Sequence, residues 1–122
     1  MLGIELNPAA ARDAAANARR NRVANARFLC ADATEYMVQL AAKGVRPDVV
    51  FLDPPRAGST PEFIAALAKM APKKAVYVSC DPTTLARDLA LFAAKGYKAC
   101  AIQPVDMFPH TEHIEVVCEL RR

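Results

Sequence analysis

The stretch Asp48-Val49-Val50-Phe51-Leu52-Asp53-Pro54-Pro55-Arg56 sets the architecture of this chain. Its apolar run has the pattern of a strand buried on both faces of a parallel sheet, and two prolines stop it abruptly. Upstream, Leu2 to Leu6 reads as a short strand closed by Asn7-Pro8. Alanine-rich Ala9 to Asn21 follows as a helix with a proline near its first turn. Arg27 to Cys30 is a second strand; Asp32 or Thr34 can cap a helix running through Ala42, which Lys43-Gly44 ends.

Downstream the alternation continues. Thr60-Pro61-Glu62 opens a helix whose Phe63, Ile64, Leu67 and Met70 recur at helical spacing, and Pro72 closes it. Ala75 to Val78 is the fourth strand, and Thr83 or Thr84 starts a helix carrying Leu85, Leu89 and Phe92 up to Gly96. The rhythm then changes: Tyr97 to Val105 and His113 to Leu120 are strand-like with no helix between them, the pattern of an antiparallel pair at a sheet's edge. Repeated strand and helix units specify an α/β domain, a mostly parallel sheet with helices on both faces.

A length of 122 residues fits one domain, and 53% hydrophobic with 24% charged residues is a globular balance expected to bury a core. The apolar runs fall short of the ~18 residues a membrane span needs, and no charged leader with an apolar core opens the chain, so no membrane partner and a cytoplasmic location are expected. Cys30, Cys80, Cys100 and Cys118 have spacings of no zinc or redox pattern, and most are expected as buried apolar residues. A net charge of +3 is compatible with a polyanion without requiring one. Arg12, Arg19, Arg20, Arg22 and Arg27 cluster around the first helix, where an ordinary solvated face explains them.

In open parallel sheets, ligands bind beyond the carboxyl ends of the strands, and three acids fall there. Glu5 can accept the hydroxyls of a ribose or be a surface acid before a turn. Asp32 can accept an adenine amine or cap its helix. Asp53 stands in a proline-stiffened turn that holds an acceptor rigidly, and Arg56 beside it can meet a phosphate or pair with a neighbouring acid.

Val76-Tyr77-Val78-Ser79-Cys80-Asp81-Pro82 puts a thiol where a strand gives way to a helix. Unpaired backbone donors at a helix N-terminus favour an anion, while neighbouring Asp81 opposes one. Glu115, in Pro109-His110-Thr111-Glu112-His113-Ile114-Glu115, can sit as an acid at the inner end of the crevice or stand exposed on an edge strand. His110 and His113 lie in an extended segment without a clear third ligand, so no metal site is expected.

Three ordered motifs, Asp53-Pro54-Pro55-Arg56-Ala57-Gly58, Ser79-Cys80-Asp81-Pro82-Thr83-Thr84-Leu85-Ala86-Arg87-Asp88 and Asp106-Met107-Phe108-Pro109-His110-Thr111-Glu112-His113-Ile114-Glu115, resemble the RNA (uracil-5-)-methyltransferase family. Gly3-Ile4-Glu5 and the helix around Asn17-Ala18 to Asn21 extend the likeness over nearly the whole chain. The resemblance implies a Rossmann-like methyltransferase three-layer sandwich whose last strand inserts antiparallel beside its predecessor. It implies Cys80 as nucleophile, Glu115 as base, and Glu5, Asp32 and Asp53 as part of an S-adenosyl-L-methionine site. Arg56 and Arg87 would position substrate, and RNA, ribosomal or transfer, would be the partner.

Members of that family carry a strand and a glycine-rich turn before the segment matching Gly3-Ile4-Glu5, and most have a separate RNA-binding region as well. The four glycines here, at positions 3, 44, 58 and 96, form no such turn. Residues 1–122 are therefore expected to be part of a class I methyltransferase catalytic domain, inactive alone. The strands ending at Glu5 and Asp53 would keep unpaired edges, to be joined directly, covered by another chain or left open. Two other readings compete: an amino-group methyltransferase with an Asp-Pro-Pro turn, which would place an aromatic residue where Arg56 stands, and a noncatalytic RNA-binding or assembly domain.

Overall fold

The computed structural model describes all residues from Met1 to Arg122. The element order is β1 (Leu2–Glu5), α1 (Pro8–Arg20), β2 (Arg27–Cys30), α2 (Ala33–Ala42), β3 (Val49–Leu52), α3 (Pro61–Met70), β4 (Lys74–Ser79), α4 (Pro82–Ala94), β5 (Lys98–Val105) and β6 (Glu115–Arg121). Each helix start has a local cause. Asn7, Asp32, Thr60 and Asp81 all accept backbone N–H bonds with their side chains as N-caps, and α1, α3 and α4 begin on proline. Asp81, not Thr83 or Thr84, caps α4, because its carboxylate reaches two free amides, those of Thr83 and Thr84, at 2.9 and 3.2 Å.

The strands divide into two sheets, β1-β2 and β3-β4-β6-β5, with no strand between β1 and β3. β1 with β2 and β3 with β4 are parallel; β6 runs antiparallel between β4 and β5. Within the chain the two edges are not joined to each other. The N-termini of α2 and α3 meet at Thr34 and Thr60, whose hydroxyls lie 3.3 Å apart. α1 packs on β1 and β2, whereas α2 packs against α3. No hydrogen bond runs from residues 1–31 to any later residue.

The core lies on one face of the larger sheet. Ala75, Tyr77 and Ser79 of β4 alternate into it opposite Leu120, Cys118 and Val116 of β6, and Ile64, Leu67, Met70, Leu85 and Phe92 from α3 and α4 close over them. Phe92 meets Tyr77 and Tyr97 edge to face, with centroids 6.4 and 5.9 Å apart. The other face is bare. Phe51, aligned with Val76, is 76% exposed, Val49 is exposed, and only Leu52 of β3 is buried. The expectation of a strand buried on both faces is thus corrected: β3 lacks a neighbour on its outer edge, and no helix covers the Phe51 side.

Two further expectations change. Cys118 is buried and Cys80 half-buried, but Cys30 and Cys100 are exposed, because they lie on the small uncovered sheet and on edge strand β5. The last strand starts at Glu115, not His113. Residues 106–113 instead form a turn in which His110 adopts a left-handed φ of 66°.

Candidate active site

A cleft of about 540 Å³ opens at the carboxyl ends of β3 and β4, on the bare face of the larger sheet. Asp53, Cys80 and Glu115 line it together with Val78, Val105, Met107 and Val117. The register explains the convergence. Val78 and Val117 are cross-strand partners on the open face, so Cys80, two residues beyond Val78, and Glu115, two before Val117, come to that same face. A smaller lobe of about 210 Å³ shares Cys80 and Glu115 and adds Arg56, Phe108 and His113. Residues separated by 62 positions in sequence, Asp53 and Glu115, thus border one opening.

Cys80 occupies the bend between β4 and α4, half-buried. Around it the backbone is tightly tied: Ser79 Oγ donates to the Asp81 carbonyl at 2.9 Å and accepts from the Asp81 N–H at 3.1 Å. The Thr84 and Thr83 amides hold the Asp81 carboxyl below the usual range, assisted by Arg56, whose Nη2 lies 3.8 Å from Asp81 Oδ2. Arg56 therefore has the acidic neighbour allowed for it, and its exposed guanidinium still faces the smaller lobe.

A buried carboxylate fixes the Asp-Pro-Pro-Arg loop against α4. Asp88 has no solvent exposure, and its Oδ2 accepts from Ser59 N–H at 2.6 Å and Tyr77 Oη at 2.7 Å. Its Oδ1 accepts from Arg87 Nε and Nη2 at 2.9 and 2.8 Å, while the same Nη2 donates to the Ala57 carbonyl at 2.8 Å. Gly58 is required between them: its φ is 78°, and a Cβ there would stand 2.6 Å from both Arg87 Nη2 and Asp88 Oδ2. Thr84 Oγ1 adds a bond to the Arg56 carbonyl at 3.0 Å. Arg87, considered for substrate contact, spends these donors on the loop.

The other two acids stand at the ends of the smaller sheet's strands. Glu5 is exposed and its Oε1 accepts from Asn7 N–H at 2.7 Å. Asp32 caps α2 through Oδ1, which accepts from Glu35 N–H at 3.0 Å. Each retains a second carboxylate oxygen with no protein partner, and Asp53 retains both. No group of three or more His, Cys, Asp or Glu residues is gathered as a metal set.

Tyr77, Asp88, Met107 and Phe108 fall within the quoted motifs, but the sequence assigns no role to them or to Ser59. For Asp88 a signal existed: it lies three residues after Leu85 and four before Phe92, an acid on the buried stripe of an amphipathic helix, where a charge must find partners. Phe108 and Met107 carried no such signal, because a turn built from side-chain to backbone bonds orients them.

The model of the tRNA (uracil-5-)-methyltransferase family matches residues 1–122. An uncharacterised RNA methyltransferase of Lactobacillus johnsonii is 49% identical over 120 residues, covering 98% of this chain and 27% of its own length. One from Clostridium tetani is 47% identical over 115 residues, 94% of this chain and 25% of its own. Among solved structures, the Pyrococcus abyssi tRNA (uracil-54, C5)-methyltransferase in complex with S-adenosyl-L-homocysteine superposes with a TM-score of 0.85 at 38% identity, covering 98% of this chain and 28% of that one. Pyrococcus horikoshii NSun6 shares the fold, with a TM-score of 0.76 at 19% identity over 98% of this chain and 40% of its own. The chain spans about a quarter of the length of the curated relatives it matches.

Proposed function

The chain belongs to the tRNA (uracil-5-)-methyltransferase family, and from that premise we propose that it is part of a class I catalytic domain that methylates carbon 5 of a uridine in transfer or ribosomal RNA. The observation that carries this reading is the shared cleft of Cys80 and Glu115, a nucleophile and a base at one opening.

Carbon 5 of uracil is a weak nucleophile. The Cys80 thiolate adds to carbon 6, forming a sulfur–carbon bond and moving the electron pair of the ring double bond into an enolate. S-adenosyl-L-methionine would supply the methyl group for carbon 5, its sulfonium sulfur leaving as a neutral thioether. Glu115 then takes the proton left on carbon 5, the double bond re-forms, and the sulfur–carbon bond breaks to release Cys80. The Asp88 clamp contributes rigidity, holding the Asp53 to Ser59 loop beside the thiol.

The residues present fit that cofactor. Glu5, Asp32 and Asp53 stand at or just beyond the ends of successive strands and each keeps a carboxylate oxygen without a protein partner, an acceptor set suited to ribose hydroxyls, an adenine amine and a positively charged sulfonium. Glu5 would hold the ribose, Asp32 the adenine amine, and Asp53 the end nearest the thiol. Arg56, free on its outer side, suits an RNA phosphate. A thiol and a carboxylate bordering one cleft, with arginine rather than an aromatic residue after the two prolines, weigh against an amino-directed methyltransferase.

The bare sheet face and the unpaired edges of β1 and β3 support a requirement for further polypeptide, so the 122-residue chain alone should not turn over. The decisive experiment replaces the matching segment of the Pyrococcus abyssi enzyme with residues 1–122. The chimera should methylate uridine carbon 5 in RNA, Cys80→Ala should abolish this, and Glu115→Gln should trap a covalent RNA adduct. Methylation that survives Cys80→Ala would sink the covalent mechanism. Turnover by the isolated chain would sink the requirement for more polypeptide.

A further inference from the structure

We propose that Phe108 is a stacking platform for an unpaired pyrimidine of the RNA, a substrate-binding residue at the rim of the Cys80 cleft; this rests on the functional reading above. Phe108 lines the smaller lobe with Arg56, Cys80, His113 and Glu115, yet remains 48% exposed. A large aromatic ring left half in water beside a thiol, a carboxylate and a guanidinium is poorly explained by packing, because it belongs to no part of the core.

The ring is held in place by its backbone. Phe108 N–H donates to Asp106 Oδ1 at 3.2 Å, and the Phe108 carbonyl accepts from Thr111 Oγ1 at 2.7 Å and Thr111 N–H at 3.2 Å. His113 N–H donates in turn to Thr111 Oγ1 at 3.2 Å. The His113 ring meets Phe108 at 83° with centroids 6.3 Å apart, which braces the pair edge to face and leaves Phe108 without a stacked partner. A preset aromatic face is the feature by which proteins take up unstacked bases, and it loses little entropy on binding because the turn is already formed.

The chain contains no tryptophan, so Phe108→Trp installs a single indole at the site. Its emission should be quenched as a single-stranded uridine pentamer is titrated. By direct binding of the same RNA, Phe108→Leu should weaken affinity by about 5- to 150-fold, the range of one lost base–aromatic stack, and Phe108→Tyr should restore it. In parallel, alkylation of Cys80 by iodoacetamide, read by peptide mapping, should slow when the RNA is bound.

The outcomes separate the two claims. Protection of Cys80 with Phe108→Leu binding as tightly as the unchanged chain overturns the stacking platform and leaves the proposed function standing. Quenching without protection of Cys80 overturns it too, since the base would then lie outside the thiol's cleft. Neither quenching nor protection overturns the stacking platform and leaves the proposed function, which the chimera tests, standing.

Discussion

Tyr77 Oη donates a 2.7 Å hydrogen bond to Asp88 Oδ2, joining the middle of β4 to the buried side of α4 where neither residue is open to water. Asp88 also holds Ser59 N–H and Arg87, so removing it strands several donors at once. Asp88→Ala should cost about 3 kcal/mol or more, and Tyr77→Phe about 1–2 kcal/mol, in urea unfolding. Equal losses for the two variants would show that the network is not centred on the carboxylate.

Alkaline pH acts on the same contact. Burial raises the Tyr77 hydroxyl far above its ordinary range, and the Asp88 carboxylate adds to the effect. Tyr97, buried and bonded to the Pro72 carbonyl, is raised as well, with Arg122 pulling the other way. A folded value above the unfolded one means that the contribution is complete below about pH 10, the unfolded tyrosine value, and is lost as pH rises toward the folded value. Stability should therefore decline above about pH 10, and Tyr77→Phe should remove only part of the decline.

Acid acts at the other end of the range through Asp81. The Thr84 and Thr83 amides depress its carboxyl, so its contribution is complete above the unfolded value of about 4 and disappears as pH falls through the folded one. Asp81→Asn keeps an acceptor for the cap but does not titrate. It should flatten the stability profile below about pH 4 while leaving helix content at neutral pH unchanged by circular dichroism.

The two faces of the larger sheet should respond oppositely to truncation. Ile64→Ala empties part of the closed core and should cost about 2–5 kcal/mol. Phe51→Ser, on the bare face, should change stability by no more than about 0.5 kcal/mol while reducing binding of a hydrophobic dye. A large loss from Phe51→Ser would mean that this face is covered in solution.

Local chemistry made much of this legible from sequence. Arg27 to Cys30 forms the strand expected of it, and Asn7-Pro8, Thr60-Pro61 and Asp32 begin helices because the capping signals are carried by neighbouring residues. Cys80 and Glu115 stand out in the sequence from their places at strand ends, and the fold brings both to one cleft. The exposure of Phe51 was hidden because burial depends on what lies beside an edge and above a face, and the apolar run of β3 is the same either way. The turn from Asp106 to His113 was hidden for another reason: its form rests on Asp106 and Thr111 side chains competing with the strand ladder.

The break in hydrogen bonding after Ala31 has a consequence for how the protein comes apart. Residues 1–31 contribute one buried side chain, Ala11, and are tethered to the remainder by chain continuity and packing alone. Under native-state deuterium exchange the amides of β1 and β2 should open together, at a smaller free energy than those of β4 and β6, so that the protein sheds its leading lobe before it melts.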